Sequence, residues 1–299
     1  MAFEYPLAVL QPGDLNNDRG NVLTSSTWRF LAQGDSWFSI GQLPPWATSN
    51  ILFNLRLPSG AAAVSLAYPG KTFAQMVNWE SEVKFATYLA GGLLAYKWDA
   101  ILLSAGGNDL FDAILTAADT PDPAKAALRL LQTPANVPVG TSMSKYVRPA
   151  AWAAFVDMIT TCFEAVIAKR DDPNSQSKGI PIFVHTYDCP QPRNAPAGPG
   201  IGPWLSRAYT TYQIPSSDWL PLTTYLINQW SQYLHTLNGV LSAAGMVNPN
   251  IRPVHLTGVL DPAPANSTGP TGDWENEIHP SMQGYAKLGI AFEKQVTLP

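Results

Sequence analysis

Runs of almost uninterrupted apolar residues, alternating with helical patterns, set the strongest limit on what this 299-residue chain can fold into. They are Thr27–Gln33 (TWRFLAQ), Ala61–Ala67 (AAAVSLA), Trp98–Ala105 (WDAILLSA), Gly179–Tyr187 (GIPIFVHTY) and Ile251–Leu256 (IRPVHL). A strand wetted on one face alternates apolar and polar residues. These runs do not alternate, which implies a parallel sheet covered on both faces. In Ala151–Arg170, the residues Trp152, Phe155, Val156, Ile159, Cys162, Phe163, Val166 and Ile167 recur at helical spacing, and Lys169 and Arg170 suit the negative end of the helix dipole. A second helix is expected over Asp218–Ala244, capped by Ser217 or Asp218 and stopped by Gly245, and a third over about Ser281–Lys294. The expected fold is three-layer α/β/α around a central parallel sheet of five strands. No internal repeat or convincing boundary divides it, so one domain is expected over 1–299, with loop insertions at about 119–147, 188–217 and 258–278.

Composition narrows the function. Charged residues are 13% of the chain, about half the usual ~25%, and the net charge is −4. No basic field exists to hold a phosphate backbone, which excludes nucleic-acid binding as the main role. Glu4 comes early and the first basic residue is Arg19, so no secretory signal is visible and a cytoplasmic location is the default expectation. The longest apolar stretch, about Phe85–Tyr96, is too short to span a bilayer, and no transmembrane segment is expected. Cys162 and Cys189 are too few for a disulfide framework, and Cys162 reads as a buried thiol.

Four short elements carry the chemistry. Gly34-Asp35-Ser36-Trp37 follows the first run, where a strand-to-helix turn exposes a serine hydroxyl beside helix N-terminal amides. Alone, the tripeptide Gly-Asp-Ser reads first as a capped turn. Gly70 closes the second run, where a side chain would obstruct close backbone approach. Gly106-Gly107-Asn108-Asp109 closes the third run, and Asp273-Trp274-Glu275-Asn276-Glu277-Ile278-His279-Pro280 precedes the last helix. In this order and these contexts the four elements resemble the SGNH/GDSL hydrolases, a superfamily named for Ser, Gly, Asn and His in four sequence blocks. The resemblance spans nearly the whole chain and implies a flavodoxin-like SGNH hydrolase fold.

By that resemblance Ser36 matches the nucleophile and His279 its general base. The Gly70 N–H and the Asn108 side-chain amide, with the Ser36 N–H, match the oxyanion hole. The implied reaction is hydrolysis of a carboxylic ester through an acyl-Ser36 intermediate, with no metal or organic cofactor. The substrate would be a small ester, a lipid or an acetylated glycan. The sequence departs from the family at one point: Asp is usual three residues before the histidine, and here that residue is Asn276. An asparagine oxygen can still accept from the imidazole Nδ1–H. Asp273 and then Glu277 are the alternatives for that place.

Rival readings are weaker. Gly70-Lys71-Thr72 resembles the end of a phosphate-binding P-loop, but the first glycine of that motif falls at Ser65. A metal-dependent phosphoesterase fails on ligands, since the four histidines (His185, His235, His255 and His279) form no metal-binding pair at helical spacing. His235, His255 and His185 read as packing residues. A non-catalytic carbohydrate-binding or interaction module is the alternative class, suggested by 10 tryptophans and few charges. Trp37, Trp204, Trp219 and Trp274 flank the motifs or loops, and Trp37 and Trp274 are the candidate substrate-binding residues. Two Pro/Gly-rich loops, Cys189–Pro203 and Asp261–Gly272, leave strand ends, and within them Pro190–Pro203 and Asp261–Gly272 are expected to set acyl and alcohol specificity.

Overall fold

The computed structural model describes residues 5–40, 49–92 and 95–297. Glu4 and residues 93 and 94 of the apolar stretch Phe85–Tyr96 lie outside them. Numbered in chain order, the strands are β1 (Tyr5–Pro6), β2 (Ala8–Leu10), β3 (Trp28–Gly34), β4 (Arg56–Leu57), β5 (Ala61–Ser65), β6 (Ala100–Ser104), β7 (Ile182–His185) and β8 (Ile251–Val254). Strands β1 and β4 form a small antiparallel ribbon. The other six form one parallel sheet in the order β2-β5-β3-β6-β7-β8.

The five expected strands are all present, each within the expected apolar run or one residue beyond it. The sheet has six strands rather than five, because Ala8–Leu10 adds an edge strand paired Ala8 to Ala62 and Leu10 to Val64. Three residues between Pro6 and Pro12 are too few to write a strand pattern. The continuous apolar runs have the expected cause: Phe30, Leu31, Ile101, Leu102, Leu103, Ile182 and Val184 are fully buried. Burying one such side chain stabilises the fold by about 1.5–3 kcal/mol.

Helices flank the sheet. The helix Pro149–Arg170 opens on a proline in its first turn and buries Phe155, Ile159, Cys162, Phe163, Val166 and Ile167. By length and composition this helix is apolar enough to cross a membrane; here those side chains belong to the protein core. Arg170 does more than complement a dipole. It is fully buried and donates to the carbonyls of Ile180, Asn248 and Pro249 while pairing with Asp171 at 2.6 Å. The helix Trp219–Ala243 follows Asp218, whose carboxylate accepts from Tyr146 Oη instead of capping the helix. The last helix, Met282–Glu293, is capped by Ser281, which accepts from the Gly284 N–H at 3.2 Å.

Strand order decides where a site can form. The chain leaves β3 for β5 on one side and then crosses to β6 on the other. In parallel sheets the crevice opens at such a reversal, at the C-terminal strand ends. Ser36 lies there, two residues beyond β3.

Candidate active site

Gly34 ends β3 and Asp35 caps the short helix Ser36–Ser39, its Oδ1 accepting from the Trp37 N–H at 3.0 Å. This places Ser36 at the first helical position, mostly covered but 7% exposed. Behind it, Asp35 is held by two further donors, Ser104 Oγ at 2.6 Å and Tyr187 Oη at 2.6 Å. Burial pushes the Asp35 carboxyl up to about 6 although these hydrogen bonds pull it down. Ser104 in turn meets His185 Nε2 at 2.8 Å. The Tyr187 N–H donates to His185 Nδ1 at 3.2 Å, so the ring proton of this histidine sits on Nε2 and points at Ser104. Burial holds His185 neutral, with its pKa pushed down to about 3.

His279 arrives on the loop between β8 and the last helix. Its Nε2 lies 2.9 Å from Ser36 Oγ, and its Nδ1 lies 3.1 Å from Asn276 Oδ1. The same Oδ1 accepts from the backbone N–H groups of Ile278 at 3.1 Å and His279 at 3.0 Å. An amide NH2 cannot accept from those two donors, so the oxygen of Asn276 must face the ring. Nδ1 of His279 therefore carries the proton, and Nε2 is the acceptor facing the serine. Desolvation lowers the His279 pKa to about 4, although His279 as a residue is half-buried. Among the described residues no negative charge opposes that shift.

The alternatives for the third position have other partners. Asp273 accepts from Lys287 Nζ at 2.6 Å and from the Asp261 N–H at 2.9 Å. Glu277 is fully buried and accepts from the N–H groups of Arg193, Trp204, Leu205 and Ser206. Sequence reading missed that second role, together with Arg193, an arginine buried to 1% whose Nη2 donates to the Asn276 carbonyl at 2.8 Å. Its Nη1 donates to the carbonyls of Ser267 and Gly269. Residues 190–193 of the first Pro/Gly-rich loop are buried. Both loops thus brace the His279 turn, a job beyond the specificity role expected of them. The one signal for it in the sequence is a lone arginine amid Cys189–Pro203.

The loop after β5 and the helix Gly107–Leu115 after β6 meet where Asn108 Nδ2 donates to the Lys71 carbonyl at 3.0 Å. Because β3 lies between β5 and β6, this contact bridges the strand end that carries Ser36. One Asn108 amide proton is engaged, and the second has no partner among the described residues. Backbone conformation is one reason for glycine at position 70. A Cβ there would meet nothing within 4 Å, but its φ of +77° is a left-handed conformation that side chains disfavour. A hollow of about 360 Å³ borders Gly70, lined also by Tyr68, Lys71, Gln75 and Glu82.

The tryptophan expectations need correction. Trp37 is 5% exposed, packed against His185 and Tyr187, and Trp274 is 1% exposed with its Nε1–H on the Asp261 carbonyl. Neither offers a face to a substrate, because each points inward from its turn. Trp204 does stand at the site, set edge-on to His279 with ring centres 5.7 Å apart. Trp219 lies tilted against Tyr209 with ring centres 6.4 Å apart, and its Nε1–H donates to the Ile214 carbonyl. Among the described residues, no group of three or more His, Cys, Asp or Glu is placed to hold a metal ion.

No protein-family model matches the chain, and no curated protein does. Among solved structures the chain is similar to a candidate SGNH hydrolase from Slackia heliotrinireducens, at 12% identity and a TM-score of 0.38, covering 90% of this chain and 99% of that one. It is similar to an acetylxylan esterase from Geobacillus stearothermophilus, at 14% identity and a TM-score of 0.36, covering 92% and 96%. A candidate acylhydrolase from Bacteroides fragilis is similar at 10% identity and a TM-score of 0.39, covering 89% and 85%.

Proposed function

We propose that this protein is a serine hydrolase of carboxylic esters, with Ser36 as nucleophile, His279 as general base and Asn276 as the group that orients the imidazole. The observation that carries this reading is the 2.9 Å contact between His279 Nε2 and Ser36 Oγ, residues 243 apart in the chain. The Nδ1–H of His279 donates to Asn276, so Nε2 has a lone pair for the serine proton.

The reaction follows from that tautomer. Ser36 Oγ attacks the ester carbonyl as its proton passes to Nε2. The carbonyl oxygen becomes an oxyanion facing the Ser36 and Gly70 N–H groups and the second Asn108 amide proton. The Trp37 N–H is not available, since it donates to Asp35. Each preorganised donor stabilises such an oxyanion by about 3–4 kcal/mol. As the intermediate collapses, the ester C–O bond breaks and the imidazolium protonates the departing alcohol. A water then gives its proton to Nε2, attacks the acyl-enzyme and releases the acid and Ser36. Asn276 supplies orientation without charge, so the imidazolium is steadied by geometry and hydrogen bonding alone. The substrate is a small ester, a lipid or an acetylated glycan.

A fluorophosphonate probe tests the reading. It is expected to modify Ser36, located by peptide mass, and to leave Ser36→Ala unlabelled. Labelling at another residue, or unchanged labelling of Ser36→Ala, contradicts it. Hydrolysis of p-nitrophenyl esters of increasing chain length then separates acetyl from long-acyl preference.

A further inference from the structure

We propose that Lys71 and Glu82 are positioning residues for the oxyanion donors, forming with Gln33 a clamp that fixes the Gly70–Lys71 turn beside Asn108; this rests on the hydrolase reading above. The turn has little packing of its own. Tyr68 is 63% exposed, a Cβ added at Gly70 would meet nothing within 4 Å, and within the turn the Lys71 N–H reaches the Tyr68 carbonyl at a long 3.3 Å. Its order comes from tethers to other elements. The Tyr68 N–H donates to the Gly34 carbonyl at 2.9 Å, and the Lys71 carbonyl accepts from Asn108. Lys71 Nζ pairs with Glu82 Oε1 at 2.7 Å, with the two side chains only 15% and 17% exposed.

The pair does not end there. Glu82 Oε2 accepts from Gln33 Nε2 at 3.0 Å, and Gln33 Oε1 accepts from the Gly34 N–H at 2.9 Å. Gln33 is fully buried in β3, two residues before Asp35. One continuous line of hydrogen bonds therefore runs from the strand that presents Ser36, through Gln33, Glu82 and Lys71, to the amide of Asn108. Lys71 is gripped at both ends, its ammonium by Glu82 and its carbonyl by Asn108. Oxyanion donors work only when held in place before charge develops, and a displacement of about 1 Å can cost about 100-fold in rate. The clamp links both proposed donors of the loops to the nucleophile strand, which gives them a common frame.

The test measures kcat and KM on p-nitrophenyl acetate, and amide hydrogen exchange over residues 68–72, in wild type, Lys71→Met, Lys71→Arg, Glu82→Gln and Ser36→Ala. Lys71→Met and Glu82→Gln are expected to lose about 10–100-fold in kcat with KM within about twofold. Exchange at 68–72 should quicken in both, and Lys71→Arg should recover much of kcat and of the protection. Should Lys71→Met not fold, Glu82→Gln carries the same readouts. Unchanged exchange at 68–72 overturns the clamp, and so does faster exchange with unchanged kcat. Wild type no more active than Ser36→Ala sinks the hydrolase reading itself, and the oxyanion role falls with it.

Discussion

Two serine–histidine pairs lie in this fold with nearly the same geometry and opposite chemistry. His279 Nε2 is 2.9 Å from Ser36 Oγ, and His185 Nε2 is 2.8 Å from Ser104 Oγ. In the first pair Nδ1 donates to Asn276, leaving Nε2 to accept. In the second, Nδ1 accepts from the Tyr187 N–H, so Nε2 donates. Ser104 Oγ must then donate its own hydrogen bond to Asp35, and with no base to take its proton that hydroxyl is no nucleophile. The difference teaches that distance alone does not make a base and a nucleophile. The partner of the far ring nitrogen does, together with an opening to solvent. His185 and Ser104 are fully buried, whereas His279 as a residue is half-buried.

The largest separation between the pairs is expected from their serines. Ser36→Ala should lower kcat about 10⁶-fold. Ser104→Ala should keep kcat within a few-fold and cost about 1–3 kcal/mol of stability by urea unfolding, because Asp35 and His185 lose a buried partner. Equal loss of activity in both would erase the distinction. Next comes the orienting residue: Asn276→Ala should lower kcat about 10²–10⁴-fold, while Asp273→Ala leaves it nearly intact. The reverse result would transfer the role to Asp273.

A smaller effect sharpens the electrostatic side of the comparison. Protonated His279 cannot take the Ser36 proton, so kcat/KM is lost as pH falls through the His279 pKa. That pKa is lowered from 6.5 to about 4, so activity should persist to lower pH than an ordinary histidine allows. Asn276→Asp places a carboxylate against the ring, favours the imidazolium and should move the acid limb to higher pH, with activity at pH 8 held or raised. An unmoved limb would deny the Asn276–His279 contact its role. The smallest change is expected for His185→Gln, which should leave the acid limb in place and reduce stability by about 1–2 kcal/mol.

Much of this was legible from the chain alone, and the misses have physical causes. The parallel sheet was readable because strands covered on both faces show no alternation, as Ile101–Leu103 does. The four short elements stood out because each follows a strand end or precedes a helix. Ser36, Asn276 and His279 do meet in space, although 243 residues separate the serine from the histidine. Side-chain direction was not legible. Trp37 and Trp274 sit within the motifs yet turn inward, while Trp204, just after the first Pro/Gly-rich loop, stands edge-on to the imidazole. Long-range polar ties leave no periodic trace, which hid Arg193 beneath the His279 turn and the Gln33–Glu82–Lys71 line. The edge strand Ala8–Leu10 was invisible through brevity.

The central contrast can be measured directly by ¹⁵N NMR of the histidine rings at pH 7, with each ring assigned from single His→Gln variants. The expected spectrum has both rings neutral but in opposite tautomers, His279 protonated on Nδ1 and His185 on Nε2. A His279 ring protonated on Nε2 alone, or carrying both protons at that pH, would leave Ser36 without a base and contradict the assignment.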